Sequence, residues 1–195
     1  MFLRMANLMV RGKGLSATAY HEAGHAVVSY EYGLRLTGVS IVPSEDGLGR
    51  TSHQALTNFN PDVDKSNRSR LRGERLIQRQ MAGMAAEWIS TGRRRRNWRG
   101  AQWDWDLAAD LALYFTGSSE ETDAYLKWLW IRTVNSLSRQ LVWRKVEAVA
   151  IALLDRRELT RSEVKEILVA EERRFLRPPE YFAEMVEARV VRREG

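Results

Sequence analysis

The sequence predicts a mainly α-helical fold with a small β-hairpin or sheet, an α+β arrangement, and three observations support that prediction. Apolar residues recur at helical spacing through five stretches, whereas only the region around residues 36–59 alternates as strands do. The apolar share of the 195 residues is 44%, enough to bury one sizeable core. The chain has no cysteine, so disulfides and thiolate metal ligands are excluded.

The first helix is predicted over residues 15–32. Ser16 is a suitable N-cap, and Gly33 is a suitable residue to end the helix. Residues 1–14 contain Gly12 and Gly14, which break local order. We therefore expect an irregular lead-in over residues 1–14.

This first helix carries His21, Glu22 and His25, an H-E-x-x-H motif. Residues four apart project from one face of a helix, so the two histidines are placed to bind one metal ion. Zinc accepts neutral imidazole and lowers the pKa of water to about 7, and Glu22 is placed to take the proton as a general base. Two alternatives stay open: a helix with two incidental histidines, or a degenerate site that no longer binds metal.

Residues 36–42 and 50–59 have the pattern of two strands joined by a turn, which suggests a small antiparallel hairpin. An exposed strand edge beside a metal-binding helix can hold a polypeptide as an added strand. His53 lies on this expected edge. We expect it to be either a surface-exposed histidine or a contact for a substrate.

A catalytic zinc ion usually has three protein ligands, so a further ligand must come from elsewhere in the chain. Two more helices are predicted over residues 69–90 and 101–116, and both carry carboxylates. The candidates for the third ligand are His53, Glu87, Asp104, Asp106 and Asp110.

Helical phase distinguishes among these carboxylates. Asp104 shares a face with Leu107, Ala108 and Leu111, which lie three, four and seven residues further on and define the side expected to be buried. Asp106 is about 200 degrees away from Asp104 around the helix and faces solvent. The phase therefore selects Asp104.

Residues 91–100, TGRRRRNWRG, form a predicted loop with four consecutive arginines. Such a run is usually a solvated charged segment. The alternative is contact with a substrate or a polyanion, for which Arg95 and Trp98 are the candidate residues. The run also leaves open a nucleic-acid-binding module, whose binding would weaken steeply with added salt.

The C-terminal half is predicted to be helical over residues 120–154, with one break near residues 135–138, and again over residues 161–174. Thr160 and Glu163 form a T-x-x-E capping box for the last helix. We expect one metal-binding domain over residues 15–175, followed by a tail over residues 176–195.

The net charge of +6 and the isoelectric point near 9.9 allow attraction to nucleic acid, anionic lipid or acidic proteins. No apolar run approaches the roughly 20 residues that span a bilayer, and the first residues lack the apolar core of a signal peptide. We therefore expect a cytoplasmic protein without a transmembrane segment. The phosphate-loop spacing G-x-x-x-x-G-K-[ST] is missing from the sequence, so we expect no intrinsic ATPase.

Three segments resemble the successive peptidase motifs of FtsH, the membrane-anchored AAA+ zinc protease. They are AYHEAGHAVV at residues 19–28, MAGMAAEW at residues 81–88 and GAQWDWDL at residues 100–107. The stretch 141–168, ending LTRSEVKEIL, is similar to the end of the same peptidase domain, so the resemblance covers about residues 15–170.

This resemblance implies an FtsH-like peptidase helical domain in which His21, His25 and Asp104 bind Zn²⁺ and Glu22 is the general base. It also implies a homo-oligomer, which is a hexamer in that family. The third motif departs from the family's G-A-S-N-D at residues 102–103, and the loop before it is arginine-rich.

Motif and resemblance together predict a zinc-dependent metalloendopeptidase that hydrolyses peptide bonds in flexible or unfolded polypeptides. Its expected partners are a polypeptide substrate and either further copies of the chain or a separate ATPase. Two alternatives remain: a regulatory or nucleic-acid-binding module with a vestigial metal site, and a peptidase dedicated to one regulator.

Overall fold

The computed structural model describes residues 2–43, 48–54, 57–92 and 102–176, and gives the backbone alone for residues 2–13. Within these ranges lie six helices and three short strands, which confirms the mainly helical α+β fold. In chain order they are α1 (Phe2–Glu31), β1 (Leu36–Ser40), β2 (Arg50–His53), α2 (Asn67–Ser90), α3 (Gln102–Leu113), α4 (Ser119–Leu137), α5 (Gln140–Arg156), β3 (Glu158–Thr160) and α6 (Arg161–Leu176). None of the helices in these ranges combines the length and the apolar character needed to cross a membrane.

α1 begins well before the expected start at residue 15. The expected irregular lead-in over residues 1–14 is helical from Phe2 onward, and Ser16 lies inside the helix, so its assignment as N-cap is wrong. A glycine inside a helix costs only about 1 kcal/mol relative to alanine. Gly12 and Gly14 therefore do not end a helix that extends for several turns beyond them. The domain limits at residues 15 and 175 stay predictions, and the expected tail over residues 176–195 lies, apart from its first residue, outside the described residues.

The end of α1 is as expected. Gly33 has a φ of +67°, the left-handed conformation that favours glycine. The amide of Leu34 donates to the carbonyl of Ser29 (2.8 Å), and the amide of Gly33 donates to that of Tyr30 (3.0 Å). These two bonds form a Schellman motif, which turns the chain from α1 toward the sheet.

The expected hairpin is present as part of a three-stranded antiparallel sheet with the strand order β2-β1-β3. Val39 in the central strand is opposite Thr51 of β2 on one side and Leu159 of β3 on the other. β2 ends at His53, earlier than the expected residue 59. Among the described residues, β2 pairs on one side only, so its other edge is open.

The break and the capping box predicted in the C-terminal half are both confirmed. α4 ends at Leu137 and α5 begins at Gln140. At the start of α6, the amide of Thr160 donates to the Glu163 carboxylate (2.8 Å), and the Glu163 amide donates to the Thr160 hydroxyl (3.4 Å).

Two apolar clusters share α2. The larger one packs α1, the sheet, α5 and α6 against the alanine-rich face of α2. Its buried members include Val27, Ile41, Ala82, Ala86, Val146, Leu153 and Leu168. The smaller one packs α3 and α4 against a different face of α2, with Ile77, Met81, Met84, Ala108, Ala112 and Leu129 among its members. α2 therefore fixes α1 and α3 relative to each other.

Candidate metal centre

α1 and α2 approach closely where the motif histidines lie, because glycines occupy the contact points. A side chain at Gly24 would place its Cβ 2.7 Å from the Cβ of Ala86 on α2. A side chain at Gly83 of α2 would place its Cβ within 3.0 Å of the Nε2 atoms of both His21 and His25. These glycines therefore allow the close approach of the two helices.

The side chains of His21, His25 and Asp104 converge on one point. His21 Nε2 lies 2.9 Å from Asp104 Oδ2, His25 Nε2 lies 3.2 Å from the same oxygen, and the two Nε2 atoms are 3.1 Å apart. α1 supplies both imidazoles, one helical turn apart, and α3 supplies the carboxylate. Ala108 and Ala112, both fully buried against α2, hold α3 in the phase that points Asp104 inward.

The outer nitrogen of His25 determines which tautomer this ring adopts. His25 Nδ1 lies 2.7 Å from the backbone carbonyl oxygen of Arg79. A carbonyl oxygen only accepts, so Nδ1 carries the proton and donates it. In the neutral ring, Nε2 then directs a lone pair toward the carboxylate oxygen of Asp104. Two electron-rich atoms at this distance need a proton or a metal cation between them.

The triangle of His21, His25 and Asp104 fits a zinc ion. Two imidazole nitrogens and one carboxylate oxygen are a donor set typical of catalytic zinc. Zinc bonds of about 2.0–2.1 Å in tetrahedral geometry keep the ligand atoms about 3.3 Å apart, close to the sides of this triangle. Such a face leaves the fourth corner of the tetrahedron for water or substrate.

The charges of these groups are strongly coupled. Burial alone would raise the pKa of Asp104, but the neighbouring imidazoles of His25 and His21 outweigh it and hold that pKa well below its usual range. Burial alone would lower the pKa of His25, but Asp104 outweighs it and raises that pKa. The carboxylate is therefore ionised and attracts positive charge into the triangle.

Glu22 lies beside the triangle and is not part of it. Its side chain is buried, with 6% of the residue exposed. The hydroxyl of Thr51 in β2 donates to Glu22 Oε2 at 2.7 Å. A side chain at Gly49 would place its Cβ 2.7 Å from Glu22 Oε1. Strand β2 thus holds the Glu22 carboxylate in place, and Gly49 leaves room for it.

His53 is partly buried and makes a specific contact. Its Nε2 lies 2.7 Å from the hydroxyl oxygen of Ser29 in α1, and Ser29 donates its own proton to the carbonyl of His25. Burial, then the nearby charges of Arg79 and His25, lower the pKa of His53 to about 4. His53 is therefore more than a solvent-exposed histidine, whereas a contact with substrate stays a prediction.

The other candidates lie away from the triangle or outside the described residues. Glu87 lies behind His21, with Oε2 3.9 Å from Nδ1 of that ring. This carboxylate faces the outer side of a candidate ligand and is not a third ligand. Asp106 and Asp110 are exposed on α3. Arg95 and Trp98 fall outside the described ranges.

Sequence reasoning missed two contacts of the site. Thr51 was read only as part of a strand, and Arg79 only as part of a helix, yet the first holds Glu22 and the second holds His25. Both contacts depend on how distant elements pack. The only indication for Thr51 in the sequence is that it belongs to a strand expected to lie beside the helix that carries the motif.

Fold and site together define a mainly helical domain whose candidate metal ligands have the composition found in metallopeptidases. The model of peptidase family M41 matches residues 8–116, more than half of the chain. The chain belongs to peptidase family M41, and the FtsH-type resemblance is confirmed. Residues 117–170, where a resemblance was also expected, lie beyond that match. No curated protein matches the chain.

Proposed function

We propose that this chain is a zinc-dependent metalloendopeptidase in which His21, His25 and Asp104 hold Zn²⁺ and Glu22 is the general base. The observation that carries the proposal is the triangle of 2.9, 3.1 and 3.2 Å between the three candidate ligand atoms. Membership of a metallopeptidase family supports the reaction class.

The chemistry is peptide hydrolysis. Zinc, when bound, supplies a Lewis acid that polarises the carbonyl group and makes water acidic near neutral pH. Glu22 takes a proton from the attacking water as its oxygen bonds to the carbonyl carbon. The same carboxyl group then returns that proton to the amine nitrogen as the carbon–nitrogen bond breaks. A new carboxyl terminus and a new amino terminus result.

Two contacts prepare these residues for their roles. The Arg79 carbonyl fixes the His25 ring in the tautomer with its Nε2 lone pair toward the triangle. The Thr51 hydroxyl holds Glu22 to one side of the triangle, where the carboxylate is available to a proton. The protein thus supplies the orientation before substrate binds.

The substrate we propose is a flexible or unfolded polypeptide. The three candidate ligand side chains are only 7 to 17% exposed. A peptide bond therefore reaches them only in a segment that can be extended and threaded into the site. The open edge of β2, next to Glu22, is the surface on which such a segment would add as a strand. A hexameric assembly and a separate ATPase partner stay predictions.

The proposal is tested with the purified full chain. We expect elemental analysis to find one zinc per chain, and casein to be cleaved by the zinc-loaded protein. Removal of the metal with 1,10-phenanthroline should abolish cleavage, and added Zn²⁺ should restore it. Casein left intact by the zinc-loaded chain, or cleavage that is insensitive to the chelator, would refute the proposed activity.

A further inference from the structure

A basic cleft lies at the far end of β2 from Glu22. It has a volume of about 460 Å³, within the range of about 300–1,000 Å³ typical of ligand sites. Its lining comes from the turn between α1 and β1, the residues after β2 and the first half of α2. The four basic residues among them are Arg35, Arg68, Arg72 and Arg75, and none of the described residues that line the cleft is acidic.

Three of these arginines follow the helical repeat of α2, so one face of this helix carries the charge. Arg68, Arg72 and Arg75 are four and three residues apart and project from the same side. Within the described ranges, none of the four arginines forms an ion pair with a carboxylate. The Asp64 side chain is close to Arg68, but it accepts a hydrogen bond from the Ser66 amide.

Neutral neighbours orient Arg72 and Arg75 without removing their charge. Arg72 donates to the carbonyl oxygens of Thr57 and Asn58 at 2.9 and 3.0 Å. Arg75 lies over the ring of Tyr32 at 5.7 Å from its centre. Carbonyl groups and aromatic rings hold a guanidinium in place and leave its positive charge intact.

The charge extends beyond the cleft lining. Burial raises the pKa of Tyr32, the charges of Arg132, Arg139 and Arg75 oppose that rise, and the smaller effect of Glu31 adds to it. Several guanidinium groups thus act on the one tyrosine that lines the cleft. A site of this kind attracts carboxylate groups, which arginine binds with paired hydrogen bonds.

The position of the cleft relates it to the open edge of β2, where we propose that the substrate binds. Thr51 touches the Glu22 carboxylate, and Gln54, three residues further on, lines the cleft. An extended chain advances about 3.3 Å per residue, so the cleft begins about 10 Å from Thr51 along β2. A polypeptide added to the open edge of β2 would therefore reach the cleft about three residues from the bond that is cut.

We propose that this basic cleft binds acidic side chains of the polypeptide substrate about three to five residues from the cleaved bond. This inference rests on the proposed function, because it assigns a substrate specificity to the proposed peptidase. The family match and the triangle do not depend on it.

The test compares two peptides that differ only at these positions. One carries Asp and Glu three to five residues from a single cleavable bond, on both sides, and the other carries Asn and Gln there. We expect the zinc-loaded chain to cleave the acidic peptide with a KM about tenfold lower. The preference should shrink in 0.5 M NaCl, because exposed charges are screened at that ionic strength.

Substitutions of the arginines test whether the cleft causes the preference for the acidic peptide. Arg68→Gln combined with Arg75→Gln should raise KM for the acidic peptide about tenfold and leave KM for the neutral peptide and the zinc content unchanged. The charge reversal Arg75→Glu should shift the preference toward a peptide with Lys at the same positions. Arg161→Gln, on the exposed start of α6, is the matched control and should change neither KM.

A binding measurement separates this inference from the proposed function. Fluorescence anisotropy of the labelled peptides is recorded with the Glu22→Gln variant, which needs no turnover. Tighter binding of the acidic peptide, lost in the double arginine variant, supports the inference even if no peptide is cleaved. Equal binding of both peptides, an acidic preference that survives the double substitution, or stronger binding of a single-stranded oligonucleotide would overturn it.

Discussion

The hydroxyl group of Thr51 donates a 2.7 Å hydrogen bond to the carboxylate of Glu22. This bond joins the edge strand of the sheet to the helix that carries the candidate metal ligands. It fixes one carboxylate oxygen, Oε2, and Gly49 leaves the space in which the other oxygen lies. A carboxylate held in this way has less orientational freedom to lose if it takes a proton during a reaction.

Replacing Thr51 by Val should lower kcat about tenfold and leave zinc content and KM unchanged. A hydrogen bond to a charged group contributes about 1.5–3 kcal/mol, and its loss lets the Glu22 carboxylate turn away. Steady-state kinetics on a fluorogenic peptide measures the effect. Thr51→Ser retains the donor and should recover most of the activity. Equal losses in both variants would show that the hydroxyl group does not account for the effect, since Thr51→Ser retains it.

Replacing Glu22 by Gln should retain zinc while slowing hydrolysis about 10²- to 10⁴-fold, the usual contribution of a general base. The amide keeps the shape of the side chain but cannot accept the proton. Elemental analysis and casein cleavage on the same preparation measure both quantities. Wild-type activity in this variant would remove Glu22 from the mechanism.

Replacing Asp104 by Ala should abolish zinc binding, because the third corner of the triangle disappears. Asp106→Ala is the matched control: it removes the same group from the same helix, but from an exposed position. Zinc titration by calorimetry compares the two variants. If Asp106→Ala loses the metal and Asp104→Ala keeps it, the assignment of the third ligand is wrong.

A Gly83→Ala substitution should displace the histidine rings of the candidate site. The added Cβ would fall within 3.0 Å of Nε2 of His21 and of His25, so at least one ring must move. We expect zinc affinity to drop at least tenfold, as measured by competition with a chelating dye. Gly14→Ala adds the same methyl group in α1 where nothing lies within 4 Å, and should leave affinity unchanged.

His53 should stay neutral at a pH at which an ordinary histidine is charged. Its pKa is lowered to about 4 from 6.5, so between these values the unfolded chain binds more protons than the folded one. The free energy of unfolding therefore falls as the pH drops from 6.5 to 4. NMR of the imidazole should show a neutral ring at pH 5, and His53→Gln should flatten the stability profile in that window. A charged ring at pH 5 would contradict the buried environment.

The convergence of the three candidate ligand side chains was largely predictable because its decisive signals are local. The spacing of His21 and His25 places both rings on one helical face, and the phase of α3 separates Asp104 from Asp106. Both inferences follow from the helical repeat of 3.6 residues per turn. The structure brings the three side chains together as that reasoning requires.

The parts that sequence reasoning missed are those that depend on distant packing. β3 has only three residues, and its pairing with β1 joins positions more than a hundred residues apart, so no local pattern indicates it. The start of α1 was missed because Gly12 and Gly14 have a cost too small to override a long helix. Thr51 contacts Glu22 only once the hairpin is folded back on α1, which no spacing along the chain reveals.

The helices that carry the histidines and Asp104 pack in different apolar clusters, and α2 and α4 contribute to both. A metal ion bound by the histidines and Asp104 would link α3 directly to α1. Loss of that ion would then release one layer at a time: α3 would exchange its amide protons sooner, while α1 and α5 stayed protected. The amide exchange rate of α3 would therefore show whether the metal ion is bound.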